Sequence, residues 1–359
     1  MNNALDNQEL SERLIKNIKN MKFDRKINIM EVCGSHTMAI AKYGLKGILP
    51  EEVKLLSGPG CPVCVTASSR IDAIYRLAMR KKVVIATYGD MIRVPGSSPD
   101  ISLRNAKSFG ARIKIVYSAE DALDYAKKYP DEEVVFIGIG FETTSPTAAL
   151  IIKDAKRENI KNISILSLHK VVEPVMRFLL EQPDIKLDGF LCPGHVATII
   201  GAKGFDFISR DYGKVGIITG FEPLDIIEAL YMILTKLKKG ESSIENQYAR
   251  CVNYLGNKAA VNVIKEVFEP CDDVWRGIGN ITNSGLKIRE EYRNWDAAAK
   301  FDLTYEEEKS TACKCGEVLK GKISPYQCPL FKKICNPDNP VGPCMVSSEG
   351  SCAAAYKYK

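Results

Sequence analysis

Four groups of residues in the 359-residue chain combine types and spacings that could do chemistry. The stretch SGPGCPVC, residues 57–64, sets Cys61 and Cys64 two residues apart among Gly58, Pro59, Gly60 and Pro62. CxxC spacing allows a reversible disulfide, and a helix starting beside it would lower a thiol pKa. Half of a zinc site is the competing reading. CGSH, residues 33–36, puts a soft thiolate, Cys33, three residues from an imidazole, His36. Such a pair could bind iron, copper or zinc, or act as nucleophile and base; a plain helix-capping turn, with Ser35 as the cap, is the bland alternative. GFETT (140–144) supplies Glu142, Thr143 and Thr144, and the stretch around PGH (193–195) supplies Cys192 and His195. These residues read either as polar walls of a cleft or as helix caps and a buried ion pair.

The fourth group is the tail. Cys328, Cys335, Cys344 and Cys352 are separated by six, eight and seven residues, with Pro329, Pro337, Pro340 and Pro343 forcing turns between them. Four thiolates suit tetrahedral zinc or a cubane iron-sulfur cluster. Zinc knuckles use short CxxC pairs, absent here, so the wide spacing favours a [4Fe-4S] cluster. Cys313 or Cys315 could replace one ligand. GIG at 138–140 resembles a phosphate loop only faintly, since GxGxxG and GxxxxGK[ST] are absent, and the missing CxxxCxxC pattern removes the radical-SAM class.

The elements that must position these residues alternate along the chain. Short β-branched runs at 27–32, 53–57, 83–88, 112–118, 133–139, 163–168, 189–192 and 215–219 are separated by amphipathic windows at 68–82, 119–129, 146–159 and 223–239. Strands alternating with helices of this length predict βαβ units and mostly parallel sheets. Each chemical motif then falls at the C-terminal end of a strand, where open α/β sheets carry their sites. Two resemblances within the chain, GFETT with GFEPL (220–224) and VCGSH with LCPGH, favour two α/β units. The division expected is a helical extension over 1–25, α/β domains over 26–132 and 133–243, and a cluster domain over 244–359. The last begins with two helical windows before Trp275.

Composition is that of a globular protein, 45% hydrophobic and 26% charged, and no apolar run reaches 18 residues. The polar amphipathic start lacks the apolar centre of a signal peptide, so a cytoplasmic location away from membranes is expected. Twelve cysteines in a reducing compartment point to metal or redox chemistry rather than a disulfide framework. The net charge of +6 is dispersed and accompanies no nucleic-acid module.

Taken together and in this order, CGSHT (33–37), SGPGCPVCVT (57–66), GFETT (140–144), PGHV (193–196) and CMVSSEGSCAA (344–354) resemble the HypD family of [NiFe]-hydrogenase maturation factors. The resemblance implies a scaffold on which an Fe(CN)2(CO) unit is assembled, working with a HypC-type small chaperone and a HypE-type cyanide donor. It also implies a C-terminal metal centre akin to that of ferredoxin:thioredoxin reductase. Carried onto this chain, Cys33 is the iron ligand with His36 beside it, Cys61 and Cys64 form a redox dithiol, and Cys328, Cys335, Cys344 and Cys352 hold the cluster. A cluster passes single electrons and a dithiol stores two, so a redox-active scaffold fits these residues better than a classical turnover enzyme. The rival is a disulfide reductase acting on a protein partner, which would have no use for a third thiol beside a histidine.

Overall fold

The computed structural model describes residues 2–307 and 312–358. In chain order its strands are β1 (Ile27–Glu31), β2 (Val53–Ser57), β3 (Val83–Thr87), β4 (Arg112–Ile115), β5 (Glu133–Gly140), β6 (Ile163–His169), β7 (Gly189–Pro193), β8 (Val215–Thr219), β9 (Ile244–Asn246), β10 (Phe268–Trp275) and β11 (Gly279–Ile288). The first eight coincide with the β-branched runs. In β3, β7 and β8 every residue is buried, as in a strand covered on both faces.

Two parallel sheets result, ordered β2-β1-β7-β8-β9 and β4-β3-β5-β6. This pairing does not follow the division expected at residues 132 and 133. β1 and β2 join β7, β8 and β9, while β3 and β4 join β5 and β6, so the second sheet is inserted between β2 and β7. Neighbours in a parallel sheet are chosen by complementary buried faces and right-handed crossovers rather than by adjacency in sequence.

The region after 244 also differs from expectation. β9 extends the first sheet, and a single helix, Lys258–Val267, leads into an antiparallel ribbon of β10 and β11. Pro270 and two aspartates break the alternation of β10, and its register shifts between Cys271 and Asp273, which hid the strand. The ribbon is pinned inside: Lys170 Nζ donates to Asp273 at 2.5 Å, Arg70 reaches the same carboxylate at 3.1 Å, and Trp275 Nε1 donates to Ser284 Oγ at 2.8 Å. The N-terminal helix Asn2–Lys19 packs on the helix Pro223–Lys239.

One apolar cluster joins both sheets to the tail. It contains Met30 and Phe190 of the first sheet, Ile85 and Val135 of the second, Trp275 of the ribbon, and Cys335, Cys344 and Met345. Each large side chain buried there contributes about 1.5–3 kcal/mol. The shared core holds the two sheets and the tail in fixed relation, which is what a site built from all three requires.

Strand order also places that site. From β1 the chain crosses to β2 on one side, while β7 leads to β8 on the other; β3 and β5 part in the same way toward β4 and β6. A crevice opens beyond the strand ends where connections diverge. The β1/β7 and β3/β5 divergences are therefore the expected floor of a ligand cavity.

Candidate functional site

The two divergences open on one cavity of about 350 Å³. Cys33 and Ser35 come from the end of β1, His195 from β7, Tyr88 and Asp90 from β3, and Gly140, Thr143 and Thr144 from β5. Gly60, Pro62 and Val63, following β2, form one wall, and Glu349 of the tail closes another.

Cys33 is the N-cap of the helix Gly34–Lys42, but its side chain makes no cap bond to that helix's backbone. Below it lies Glu31, buried at the end of β1. Glu31 accepts from Thr37 Oγ1 at 2.6 Å and from the Cys33 N–H at 3.4 Å, and burial lifts its carboxyl to about 8. Burial, then the nearby Glu349 carboxylate, pushes the Cys33 thiol up to about 12, against the help of the Ser35 and His36 N–H groups. The thiolate-favouring effect expected of a helix start is thus outweighed by desolvation. Cys33 therefore keeps its proton at neutral pH. Ser35 is not a cap: its hydroxyl donates to Glu349 Oε1 at 2.7 Å.

His36 stands behind the cavity. It is fully buried, its Nε2 lies 2.9 Å from the Gly220 carbonyl, and Nδ1 has no partner. A carbonyl only accepts, so Nε2 carries the hydrogen. Burial lowers its pKa to about 4, which keeps the ring neutral. Phe221, beyond β8, is sandwiched between the two histidines, its centroid 4.7 Å from His36 and 3.8 Å from His195. The repeated Cys-x-x-His pattern therefore has a spatial meaning, since β1 and β7 are neighbours and one phenyl ring spans their two imidazoles. His195 is the histidine that lines the cavity, and it is exposed at the mouth. Burial lowers its pKa as well.

Within GFETT the roles divide. Gly140 has φ of +149°, and a Cβ there would fall 1.7 Å from Thr144 Oγ1, so only glycine fits. Thr143 and Thr144 face the cavity, and Thr144 Oγ1 donates to the Ile139 carbonyl at 3.2 Å. Glu142 turns away: its Oε1 accepts the Val172 N–H at 2.9 Å at the start of the helix Val172–Leu180, and burial lifts its pKa to about 7. Cys192 is buried inside β7 with its thiol pushed up by burial, off the cavity wall.

Cys61 and Cys64 are joined as a disulfide with Cα atoms 5.2 Å apart. Cys61 caps the short helix Pro62–Val65, its sulfur accepting the Cys64 N–H at 3.2 Å. The bond lies just behind the wall of Gly60, Pro62 and Val63, with Cys61 3% and Cys64 0% exposed. On one side the Gly34 N–H donates to the Gly60 carbonyl at 3.3 Å, beside Cys33. On the other, the helix Pro62–Val65 packs against the turn Pro343–Met345 that carries Cys344. The disulfide thus sits between Cys33 and the tail.

In the tail, Cys328, Cys335, Cys344 and Cys352 line one gap together with Cys313 and Cys315. Among the described residues no three His, Cys, Asp or Glu groups are arranged to hold a single metal ion. Cysteines ringing a shared gap could hold a four-iron core, which takes one thiolate per iron, or a tetrahedral ion. Five of these thiols are pushed up, Cys335 and Cys352 by burial and Cys313 by its contact with Cys315 and then burial. At Cys315 and Cys344 the contacts with Cys313 and Cys315 respectively pull the thiol down, but neighbouring thiols and burial raise it. Arg276 opposes the rise at Cys313, Cys315 and Cys344 only weakly. Arg276 is itself buried and donates to the Pro95 and Gly96 carbonyls at 2.7 and 3.2 Å. Sequence reasoning missed Arg276, Asp90, Phe221 and Glu349. Asp90 and Phe221 follow strand ends, Phe221 within the GFEPL stretch, and were open to the same rule as the other motifs, and Glu349 lies within CMVSSEGSCAA; nothing local marks Arg276.

The HypD family model, described as the hydrogenase formation hypA family, matches residues 9–359. The hydrogenase maturation factor HypD of Cupriavidus necator is 43% identical over 360 residues, covering 98% of this chain and 94% of that protein. HypD of Escherichia coli K12 is 43% identical over 357 residues, covering 98% and 95%. A putative hydrogenase expression/formation protein of Methanocaldococcus jannaschii is 44% identical over 335 residues, covering 93% and 92%.

Proposed function

Because the chain belongs to the HypD family and is a hydrogenase maturation factor, we propose that its central cavity holds iron while the Fe(CN)2(CO) unit is assembled, with Cys33 as thiolate ligand. The observation that carries this reading is that both sheets diverge onto the one cavity that Cys33 lines, with the Cys61–Cys64 disulfide directly behind its wall. Iron here is cargo. A soft thiolate suits low-valent iron bearing cyanide and carbonyl, and binding displaces the Cys33 proton. His195, neutral and exposed at the mouth, is the imidazole placed to receive that proton or to meet the iron. His36 acts at one remove, through Phe221.

Reduction of the Cys61–Cys64 disulfide to two thiols takes up two electrons and two protons, so the pair is a two-electron store next to the iron site. A [4Fe-4S] cluster bound by Cys328, Cys335, Cys344 and Cys352, with Cys313 or Cys315 able to replace one of them, would supply electrons singly. The packing of the Cys344 turn on the Pro62–Val65 helix supports this pairing of functions. A reductase acting on a protein partner would need its dithiol within reach of that partner, and Cys61 and Cys64 are buried. The scaffold reading calls for a HypC-type chaperone to carry the iron unit and a HypE-type donor to deliver cyanide at the open mouth.

Anaerobic purification followed by metal analysis and infrared spectroscopy tests this function. Iron together with bands of metal-bound cyanide and carbonyl is the expected result. Protein made with its maturation partners that carries no such bands would overturn it.

A further inference from the structure

We infer that Glu349 is a positioning residue of the Cys33 site, supplied by the tail, and that its contact with Ser35 governs access to the Cys33 sulfur. The inference rests on the reading of Cys33 as the iron-holding thiol and adds a control on it.

Glu349 and Ser35 are 314 residues apart and joined by a 2.7 Å hydrogen bond, with the hydroxyl donating. The two segments also touch along their backbones. A Cβ on Gly34 would fall 2.4 Å from Glu349 Cβ and 2.8 Å from its carbonyl oxygen, so residue 349 lies flat on the first turn after Cys33. Glu349 is held in turn from its own side. Its N–H donates to Ser347 Oγ at 3.3 Å, and Ser347 Oγ donates at 3.1 Å to Oδ2 of Asp90, which lines the cavity. The next residue, Gly350, is pressed against Cys344, where a Cβ would fall 2.2 Å from the Cys344 carbonyl oxygen. The residue seated on the turn after Cys33, itself 9% exposed, is therefore fixed by the segment between two tail cysteines. A simple docking contact would hold the tail in place without controlling the thiol, and the two roles separate experimentally.

The test is the rate at which iodoacetamide alkylates Cys33 in the full chain, resolved by peptide mass spectrometry, with melting temperature recorded for each variant. Glu349→Ala and Ser35→Ala should each accelerate alkylation by at least about fivefold at unchanged melting temperature, through local opening. The double variant should be no faster than Glu349→Ala alone, since both changes remove the same bond. Glu349→Gln keeps an acceptor oxygen for the Ser35 hydroxyl but removes the carboxylate charge that helps hold the Cys33 thiol up, so it reports the charge effect alone. It should be slower than Glu349→Ala by at least about threefold; equal rates in these two would overturn the inference. Parental rates in both alanine variants, or additive effects in the double, would overturn the inference. The rate reads the thiol, so it decides the matter even in protein without cyanide and carbonyl bands, the outcome that would instead sink the iron reading.

Discussion

The backbone of Gly60 packs directly on that of Cys33: a methyl group at position 60 would fall 2.4 Å from the Cys33 nitrogen and 2.5 Å from its Cα. The glycine ahead of the CxxC motif thus lets the two thiol-bearing turns share a wall. Since the obstacle is backbone, Gly60→Ala must shift one strand end and should cost about 1–3 kcal/mol. Urea unfolding would show a lower midpoint at unchanged slope; a parental midpoint would mean the turns are not in contact.

Phe221 places its ring between His36 and His195. Phe221→Leu keeps apolar bulk but removes the stacked faces, each worth about 0.5–1.5 kcal/mol beyond burial. The His195 pKa, held down first by burial, should rise toward its ordinary value in this variant when followed by NMR titration. An unchanged titration would show that Phe221 does not shape the cavity mouth.

Much of the framework was legible. β-branched runs marked β1 to β8, and the rule that sites lie at strand ends brought Cys33, Thr143, Thr144 and His195 to one cavity. Strand order was not legible, because the choice of β7 rather than β3 as a partner for β1 depends on matching faces far apart in sequence. Glu142 and Thr144, two residues apart, read alike as polar wall, yet one caps a helix while the other lines the cavity, and only the backbone path decides which. Glu349 and Arg276 act on cysteines from distant segments, and no local spacing announces such contacts.

His169 is buried beside Phe268, its Nδ1 3.2 Å from Ser167 Oγ, and burial lowers its pKa to about 3. The unfolded chain binds a proton at this residue below about 6.5, whereas the folded chain refuses it until about 3. Stability from this group is full above that upper value and falls with acidification, by up to about 1.4 kcal/mol per pH unit. Urea midpoints of His169→Gln should decline less between pH 7 and 5 than those of the parent chain. Equal declines would mean the imidazole is not buried neutral.

If the tail holds the proposed cluster, alanine at any of Cys328, Cys335, Cys344 or Cys352 should lower iron content and make the tail more susceptible to protease, since metal binding and folding would be coupled there. Retention of four irons after two such changes would move the assignment to Cys313 or Cys315, which line the same gap.

Infrared spectroscopy of Cys33→Ala, purified anaerobically together with its maturation partners, tests the iron site most directly. The account predicts that the bands of bound cyanide and carbonyl vanish while the visible absorption of the tail cluster and the Cys61–Cys64 disulfide chemistry persist. Bands of unchanged position and intensity in that variant would place the iron away from Cys33 and contradict the account.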